Sequence, residues 1–433
     1  MLNNKRILVT QPMIRGINGS TMVTLELATT LNQLGAKTTV YTCDYDNPAK
    51  KIFENQNIQV VTSDDNPKFK LNDFDYVWVH SQILPTSLIK GLSRKKLSDY
   101  PCFIFLHMSG MDWIPDEKPW IYNLENKLSS LSLFISEEVK QVNLPFLDSD
   151  IPVGFFRNPA PLVYCNRDKI PSSSIKKLLI VSSHPPKEVI EAKEILTKKH
   201  KITVTLLGEG QEKYELFSKQ LLEQYDAVLT IAKTVPYCLI SGTPVYIYDT
   251  FGGGPGWLNK DNFKKAKIRN FSGYQNYNYP NYEGGVFHYK KAEDIVEEII
   301  NGYQESLVFH AKNKEKFYNE FVINSVLPPL FQNIKKRKIE SFNERYTNAA
   351  IAAEQFATIR FKASGILYNR DSYIHMLQKE KDNLHHKNQY LQNENSKLIS
   401  YKKNTQSVFE SKAYRLFNKA LTPYKIIRKG LKK

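Results

Sequence analysis

The stretch of sequence that decides the fold class is IAKTVPYCLISGTPVYIYD, from Ile231 to Asp249. It begins at the end of an apolar strand, turns, continues as an apolar helix and returns to a second apolar strand. Gly242 follows the helix, at a place where a glycine ends many helices. Because both strands are apolar on both faces, they belong in a parallel sheet covered by helices. The stretch therefore predicts one βαβ unit of an α/β domain.

The same alternation extends to both sides of this stretch. Strands are predicted at Leu178 to Ser182, Thr203 to Leu207, Ala227 to Ile231 and Val245 to Tyr248. Helices are predicted at Lys187 to Leu196 and Glu293 to Tyr303. Strands that alternate with helices in this way indicate one Rossmann-like domain, which we assign to residues 175–335.

The first 165 residues carry an equivalent pattern. Strands are predicted at Ile7 to Thr10, Thr38 to Thr42, Ile58 to Val61, Tyr76 to His80, Cys102 to His107 and Leu131 to Ile135. The first helix runs from Met22 to Leu34 and is capped by Gly35. A polar segment, Asn166 to Ser174, reads as a linker. Two consecutive Rossmann-like domains, 1–165 and 175–335, would bind ligands at the carboxyl ends of their strands, in the cleft between them.

The composition changes at about residue 336, and 336–433 is predicted to be a helical tail. The tail carries a leucine every seven residues, at Leu377, Leu384, Leu391 and Leu398. The partner positions of such a heptad are Ile374, Lys381, Asn388 and Asn395, which are mostly polar. The spacing is consistent with a weak or short coiled coil across 366–400 and equally with a solvated helix lying on the protein.

The last segment, Ser411 to Lys433, holds eight Lys or Arg residues and no acidic residue. Near one helical face lie Ala413, Phe417, Ala420, Leu421 and Tyr424, until Pro423 disturbs the helix. Basic and apolar residues interleaved in this way are typical of a segment that lies on an anionic membrane surface.

The charge balance also points to an anionic partner, since 60 Lys and Arg against 44 Asp and Glu give a net charge of +16. No nucleic-acid-binding signature accompanies this charge, so nucleic acid is not expected as a partner. Four cysteines without paired spacing predict neither a metal site nor a disulfide framework and favour a reducing compartment. We expect no signal peptide, because the apolar run after MLNNKR is short, and no membrane-spanning segment.

Further motifs follow the predicted strands of the second domain. They are VSSHPPKE (Val181 to Glu188), LLGEG (Leu206 to Gly210), FGGGPGWL (Phe251 to Leu258) and IRNFSGY (Ile268 to Tyr274). Together with the opening stretch, this series resembles the second domain of bacterial GT-B-type glycosyltransferases, well over about residues 175–280. The first domain matches the family in its general pattern, an opening glycine loop and a strand that ends in His107.

The resemblance implies a metal-independent enzyme that binds the diphosphate of a nucleotide-sugar donor at glycine turns and helix N-termini. In this family a basic residue and a hydroxyl residue serve the phosphates, and a glutamate three residues later holds the ribose. Lys233 and Thr234 fill the first two places, and Tyr237 stands in the place of the glutamate. If the site is otherwise intact, the resemblance predicts that Tyr237→Glu tightens donor binding.

Other candidate residues lie at strand ends or in glycine turns. Gly16 and Gly19, in the loop MIRGINGST, permit a close approach of the backbone to a ligand. His80 and His107 are candidate catalytic residues, as general base or acceptor ligand, and each has a structural role as the other interpretation. Candidate donor-binding residues are also His184, Gly208, Gly210, Asp249, Gly252, Gly253 and Gly254. A tyrosine-rich loop, Tyr274 to Tyr282, is either a stacking surface or a plain surface loop.

Two functions are consistent with these features. The first is a glycosyltransferase that moves a sugar from a nucleotide-sugar donor to a lipid-linked or cell-envelope glycan at the cytoplasmic face of the membrane. It would need no cofactor or metal, and 411–433 would attach it peripherally to the membrane. The second is a catalytically impaired GT-B protein that serves as a binding or assembly subunit, joined through 366–400 to a second copy or to a partner glycosyltransferase. The exchange at Tyr237 and the heptad favour the second function.

Overall fold

The computed structural model describes residues 2–92, 100–110, 121–165, 172–250, 253–272, 289–339 and 344–419, the last range without Tyr414 and Phe417. Two compact units are present, residues 1–362 and residues 363–433. The first unit holds two parallel sheets with their helices, and the second holds the continuation of one long helix. Gly252, the loop Tyr274 to Tyr282 and residues 420–433 lie outside the described residues.

The first sheet has the strand order β3-β2-β1-β4-β5-β6-β7, and every pairing is parallel. Its strands are β1 (Arg6–Ile14), β2 (Lys37–Tyr45), β3 (Gln59–Thr62), β4 (Tyr76–His80), β5 (Cys102–His107), β6 (Ser129–Phe134) and β7 (Val153–Phe155). Its helices are α1 (Gly19–Gln33), α2 (Ala49–Asn55), α3 (Thr86–Leu92), α4 (Tyr122–Leu128) and α5 (Glu137–Asn143). The order reverses beside β1, as it does in Rossmann folds, and this is where such folds bind ligands.

Both faces of this sheet are covered, because successive side chains of a strand point to opposite faces. On β4, Trp78 packs in one hydrophobic core, while Val77 and Val79 pack in the core on the other side. Helix α1 begins with Asn18 as its N-cap, whose side chain accepts a hydrogen bond from the Thr21 backbone N–H.

The second sheet has the order β12-β11-β10-β8-β9, parallel except for β12. Its strands are β8 (Lys177–Val181), β9 (Thr203–Leu207), β10 (Ala227–Thr230), β11 (Val245–Asp249) and β12 (Gly253–Trp257). The helices that follow are α6 (Lys187–His200), α7 (Lys219–Leu222), α8 (Thr234–Ser241), α9 (Phe263–Ile268), α10 (Ala292–Lys312), α11 (Lys314–Phe321) and α12 (Ile323–Asn333). The predicted fold class, two Rossmann-like α/β domains, is confirmed by this architecture.

The chain returns from the second sheet to the first through a short crossing. The backbone of Ala160 accepts a hydrogen bond from Ile323 and donates one to Phe321. Helix α12 then packs Leu327 and Phe331 into the core of the first sheet. The two sheets are therefore linked twice, by the segment around Ala160 and by the start of α12.

The predicted helical tail is confirmed as helix α13 (Glu344–Glu410), which is 67 residues long. Its first part packs Ala350, Ala357 and Phe361 against the first sheet. Glu354, on the same part, accepts hydrogen bonds from the hydroxyls of Tyr41 and Thr86. From residue 363 onward the helix belongs to the second unit.

Helices long and apolar enough to cross a membrane do not occur among the described residues.

Candidate functional site

The loop between β1 and α1 meets the turn between β10 and α8. A Cβ placed on Gly19, the first residue of α1, would lie 3.5 Å from the Cβ of Lys233. The same loop is tied to the second sheet at Ile17, whose backbone N–H donates to the Tyr214 hydroxyl at 3.1 Å. Gly16, next to it, leaves ordinary van der Waals space to that hydroxyl. The carboxyl ends of β1 and β10 are thus brought to one place, which is the expected ligand site.

Lys233 is buried at this place and is fully engaged by protein groups. Its ammonium nitrogen lies 2.5 Å from Oε2 of Glu26, on α1. It also donates to the backbone carbonyls of Pro159, at 2.7 Å, and of Asn158, at 3.3 Å. The ammonium therefore contacts one carboxylate and two backbone carbonyls.

Glu26 and Lys233 form a buried ion pair that joins the two sheets. Burial lowers the pKa of Lys233 and raises that of Glu26, and the attraction between the two charges opposes both shifts. Removing either partner would leave the other charge buried without compensation, which costs far more than a surface pair does. The pair therefore holds α1 against the start of α8.

Tyr237 completes the cluster from the next turn of α8. Its hydroxyl donates to Oε1 of Glu26, and its ring stacks on Tyr164 at 4.4 Å and on Phe217 at 5.3 Å between ring centroids. The ammonium of Lys233 lies 4.8 Å from the Tyr237 ring centre, which adds a cation–π contact. Glu26, Lys233 and Tyr237 thus form one buried cluster at the contact between α1 and α8.

Thr234 is the first residue of α8 and is half-buried. After it, the Val235 backbone N–H donates to the Ala232 carbonyl at 3.1 Å, and Pro236 has no backbone N–H. Gly242 ends the same helix with a φ of +73°, as the sequence predicts.

Gly208 is required by a close approach of two loops at the ends of β8 and β9. A Cβ there would lie 2.3 Å from the Ser182 carbonyl oxygen, which no side chain tolerates. Gly210, two residues on, has a φ of +74° and open space around it. His184 lies in the facing loop, exposed, and its backbone N–H donates to the Ser182 hydroxyl.

Gly253 and Gly254 lie in strand β12, in place of the predicted glycine turn. A Cβ on Gly254 would come within 2.1 Å of the Ile247 carbonyl oxygen, and Gly253 pairs with Asp249 in the sheet. Asp249 is buried at the end of β11. The packing of β12 on β11 accounts for these glycines without a ligand.

His80 is completely buried at the end of β4. Its Nδ1 lies 3.0 Å from the Thr24 hydroxyl and 3.3 Å from the Gln11 side-chain oxygen. Burial lowers the pKa of His80 to about 3, so the ring is neutral near pH 7. The ring is thus enclosed by side chains of β1 and α1, and a catalytic role for His80 stays a prediction.

His107 is held by a carboxylate that the sequence did not single out. Its Nε2 lies 2.9 Å from Oε1 of Glu125, and its ring stacks on Phe134. Glu125, on α4, also accepts hydrogen bonds from Ser132 at 2.7 Å and from Gln82 at 2.9 Å. A histidine with such a partner has a fixed ring orientation.

Arg15, in the β1–α1 loop, is a second cation that sequence inspection passed over. It makes a bidentate pair with Asp44, at 2.9 Å for both bonds, and reaches Asp46 at 2.8 Å. Without these two carboxylates, the guanidinium could bind an anion at this loop. Arg15 directly precedes Gly16, and this position in the glycine loop is the sequence feature that indicates such a role.

Groups of three or more His, Cys, Asp or Glu residues placed to hold a metal ion do not occur in the part of the chain that the structure describes. Cys43, Cys102, Cys165 and Cys238, all within the described residues, are not joined in disulfides.

The chain was compared with known proteins. No protein-family model and no curated protein sequence matches it. Among solved structures, HepE of Anabaena in complex with UDP-glucose is similar at 12% identity and a TM-score of 0.47, over 76% of this chain and 99% of that one. A glycosyltransferase of Rickettsia africae is similar at 16% identity and a TM-score of 0.46, over 76% of this chain and 97% of that one. TarM is similar at 10% identity and a TM-score of 0.46, over 76% and 98%. These are similarities of chain path, and the fold itself is defined by the strand order given above.

Proposed function

We propose that the protein is a glycosyltransferase that uses a nucleotide-sugar donor. The observation that carries this proposal is the meeting of Gly19 and Lys233, two elements predicted separately from the two halves of the sequence. They meet at the carboxyl ends of parallel strands and beside the N-termini of α1 and α8, which is where Rossmann-like folds bind phosphate groups.

Donor binding at this place requires that Lys233 exchange partners. The diphosphate brings the negative charge that Glu26 now supplies, so the lysine would pass from carboxylate to phosphate without becoming unpaired. Glu26 would then keep the hydrogen bond that it accepts from the Tyr237 hydroxyl.

His107 is the better placed of the two candidate histidines for proton transfer with an acceptor hydroxyl. It is supported by Glu125, whereas His80 is enclosed by Thr24 and Gln11. We further propose that the acceptor is a lipid-linked or cell-envelope glycan and that the basic end, 411–433, brings the protein to the cytoplasmic face of the membrane.

A second candidate function is a binding or assembly subunit of a glycosyltransferase complex. The specific observation that favours it is that Lys233 already pairs with Glu26 and donates to the backbone carbonyls of Pro159 and Asn158. If this cluster never opens, the donor site stays closed by the protein's own side chains. The two candidate functions therefore differ in whether a phosphate can displace Glu26 from Lys233.

The test is calorimetric titration of UDP, GDP and dTDP into the wild-type protein and Lys233→Ala. Losing one charged phosphate contact should weaken binding by about 10- to 100-fold, from the 1.5–3 kcal/mol typical of a charged hydrogen bond. Lys198→Ala, on an exposed pair with Glu194, is the matched control and should change nothing. Binding by the wild type, followed by donor hydrolysis or transfer, supports the glycosyltransferase. If no nucleotide binds and no donor is turned over, the second candidate replaces it.

A further inference from the structure

Helix α13 carries a row of exposed leucines in its second part. Leu377, Leu384, Leu391 and Leu398 are exposed by 44%, 60%, 55% and 64%, and Ile374 precedes them at 43%. They repeat every seven residues along about 31 Å of helix. Isolated large apolar side chains are common on protein surfaces, whereas a periodic row of them marks a surface made for a partner.

The row is narrow, as expected of a coiled-coil seam. With the leucines at d positions, the a positions are Ile374, Lys381, Asn388 and Asn395, and the remaining positions are mostly polar or charged. A helix that lies in a membrane surface needs a much wider apolar face. The occupant is therefore another helix whose own apolar seam is equally narrow.

The polar residues at the a positions indicate which helix forms the other strand of the coiled coil. A buried asparagine at an a position is tolerated where it can pair with an asparagine at the same level of a second strand, which selects two parallel strands in register. Asn388 and Asn395 occupy two consecutive a positions, so each finds its own equivalent in a second copy of this chain. A partner of different sequence would need asparagines at the same two levels.

The flanking positions agree with this arrangement. In a parallel dimer the g residue of one heptad faces the e residue of the next heptad on the other strand. This places Glu380 opposite His385 of the second copy, and Lys387 opposite Gln392 of the second copy. Neither pair brings like charges together.

We propose that residues 374–398 form a parallel, in-register, two-stranded coiled coil with a second copy of this chain. The dimer would contain two copies of the chain, joined through these residues. This inference is independent of the proposed activity, because it rests on α13 alone.

Sedimentation equilibrium of the full chain tests the dimer. The wild type should have twice the monomer mass of 50.1 kDa. Leu384→Lys combined with Leu391→Lys should raise the dissociation constant by at least about 100-fold, because two seam leucines lose their burial. Gln389→Lys combined with Ser396→Lys adds the same charge at outward b positions and should leave the dimer intact. A monomeric wild type, or equal dissociation of both variants, would overturn the proposal.

Cross-linking tests the orientation. Leu391→Cys should join two chains by a disulfide under mild oxidation, because identical d positions meet in a parallel, in-register pair. Asn393→Cys, at an outward position of the same turn, should form no such disulfide. It carries the same native cysteines and therefore controls for their background. A dimer in which Leu391→Cys does not cross-link would be antiparallel or out of register. If only a different protein binds the seam, the purified chain should be a monomer. Either result contradicts the proposal.

Discussion

The carboxylate of Glu26, on the first helix, lies 2.5 Å from the ammonium of Lys233, at the start of α8. Both side chains are buried, and the pair joins the two Rossmann-like domains at the place where their strands end. The lysine that the sequence predicts for a phosphate is therefore neutralised by a carboxylate of the same chain. A phosphate can bind Lys233 only if this carboxylate is displaced.

Breaking the pair from one side should destabilise the protein. Lys233→Met leaves Glu26 buried without its counter-charge, and we expect the free energy of unfolding to fall by about 3–5 kcal/mol. Combining it with Glu26→Gln should recover most of this loss, since both charges are then gone. Urea unfolding of the single and double variants measures the coupling. The exposed pair Lys198 and Glu194 is the control, and its cycle should give about 0–1 kcal/mol. A coupling at Glu26 no larger than this would show that the pair does not hold the domains.

The geometry argues against the gain in donor affinity that the sequence predicts for Tyr237→Glu. From sequence alone this change is predicted to tighten donor binding, by restoring the family's glutamate. In the structure the Tyr237 hydroxyl donates to Glu26, so the substitution places two carboxylates together in a buried site and removes the stacking on Tyr164. We expect lower stability, by about 3–5 kcal/mol, and no gain in nucleotide affinity.

Tyr237→Phe is the matched variant for that experiment. It keeps the ring stacked on Tyr164 and loses only the hydrogen bond to Glu26. Its cost should be smaller, about 1–3 kcal/mol. Thermal unfolding and nucleotide titration of both variants decide the matter, and a Tyr237→Glu protein that is stable and binds UDP more tightly than wild type would refute the structural argument.

Acid should destabilise the protein partly through His80. Burial lowers the pKa of His80 to about 3, whereas an unfolded histidine titrates near 6.5. Between these values the unfolded chain binds a proton that the native chain does not, so stability falls as the pH drops below about 6.5, by about 1.4 kcal/mol per pH unit. His310, whose pKa burial lowers to about 4, acts in the same direction.

Variants separate His80 from the many carboxylates that also titrate in acid. In His80→Gln the dependence of unfolding free energy on pH between 6.5 and 4 should become shallower by that amount. His200→Gln, on the exposed end of α6, should leave the slope unchanged. Equal slopes in wild type and His80→Gln would mean that His80 is protonated in the native protein.

The basic end should bind anionic membranes. Deleting 411–433 removes eight Lys or Arg residues, each worth about 1 kcal/mol near an anionic surface, together with their apolar neighbours. The truncated chain should fail to sediment with anionic vesicles while its two domains stay folded, and salt should release the full-length chain. Equal binding of the full chain to neutral and anionic vesicles would count against this role.

Much of the fold could be predicted because buried parallel strands are continuous apolar runs. The segments Tyr76–His80, Cys102–His107 and Thr203–Leu207 are strands with the predicted bounds. Strand β12 could not be predicted, because its sequence GGPGW has neither apolar alternation nor β-branched residues. It forms because Gly254 lets the chain approach Ile247 more closely than any side chain allows.

Only some residues of the site could be predicted from the sequence. Gly19 and Lys233 stand at strand ends, where position alone indicates a role. Glu26 lies in the middle of the otherwise apolar and small-residue helix α1, 211 residues before Tyr237, and nothing local shows that the two touch. The one indication of its role is that Glu26 is a carboxylate among buried residues of this helix. An unpaired buried carboxylate is costly, so Glu26 needs a partner elsewhere in the chain.

The affinity of UDP for the wild type and for Glu26→Gln, measured by calorimetry in the same buffer, tests the central claim most directly. If Glu26 and the diphosphate compete for Lys233, neutralising Glu26 lowers the cost of the exchange, and Glu26→Gln should bind UDP about 10- to 100-fold more tightly than wild type. Adding Lys233→Met to Glu26→Gln should abolish that gain. Equal affinity in wild type and Glu26→Gln, or a gain that survives the loss of Lys233, would contradict the account.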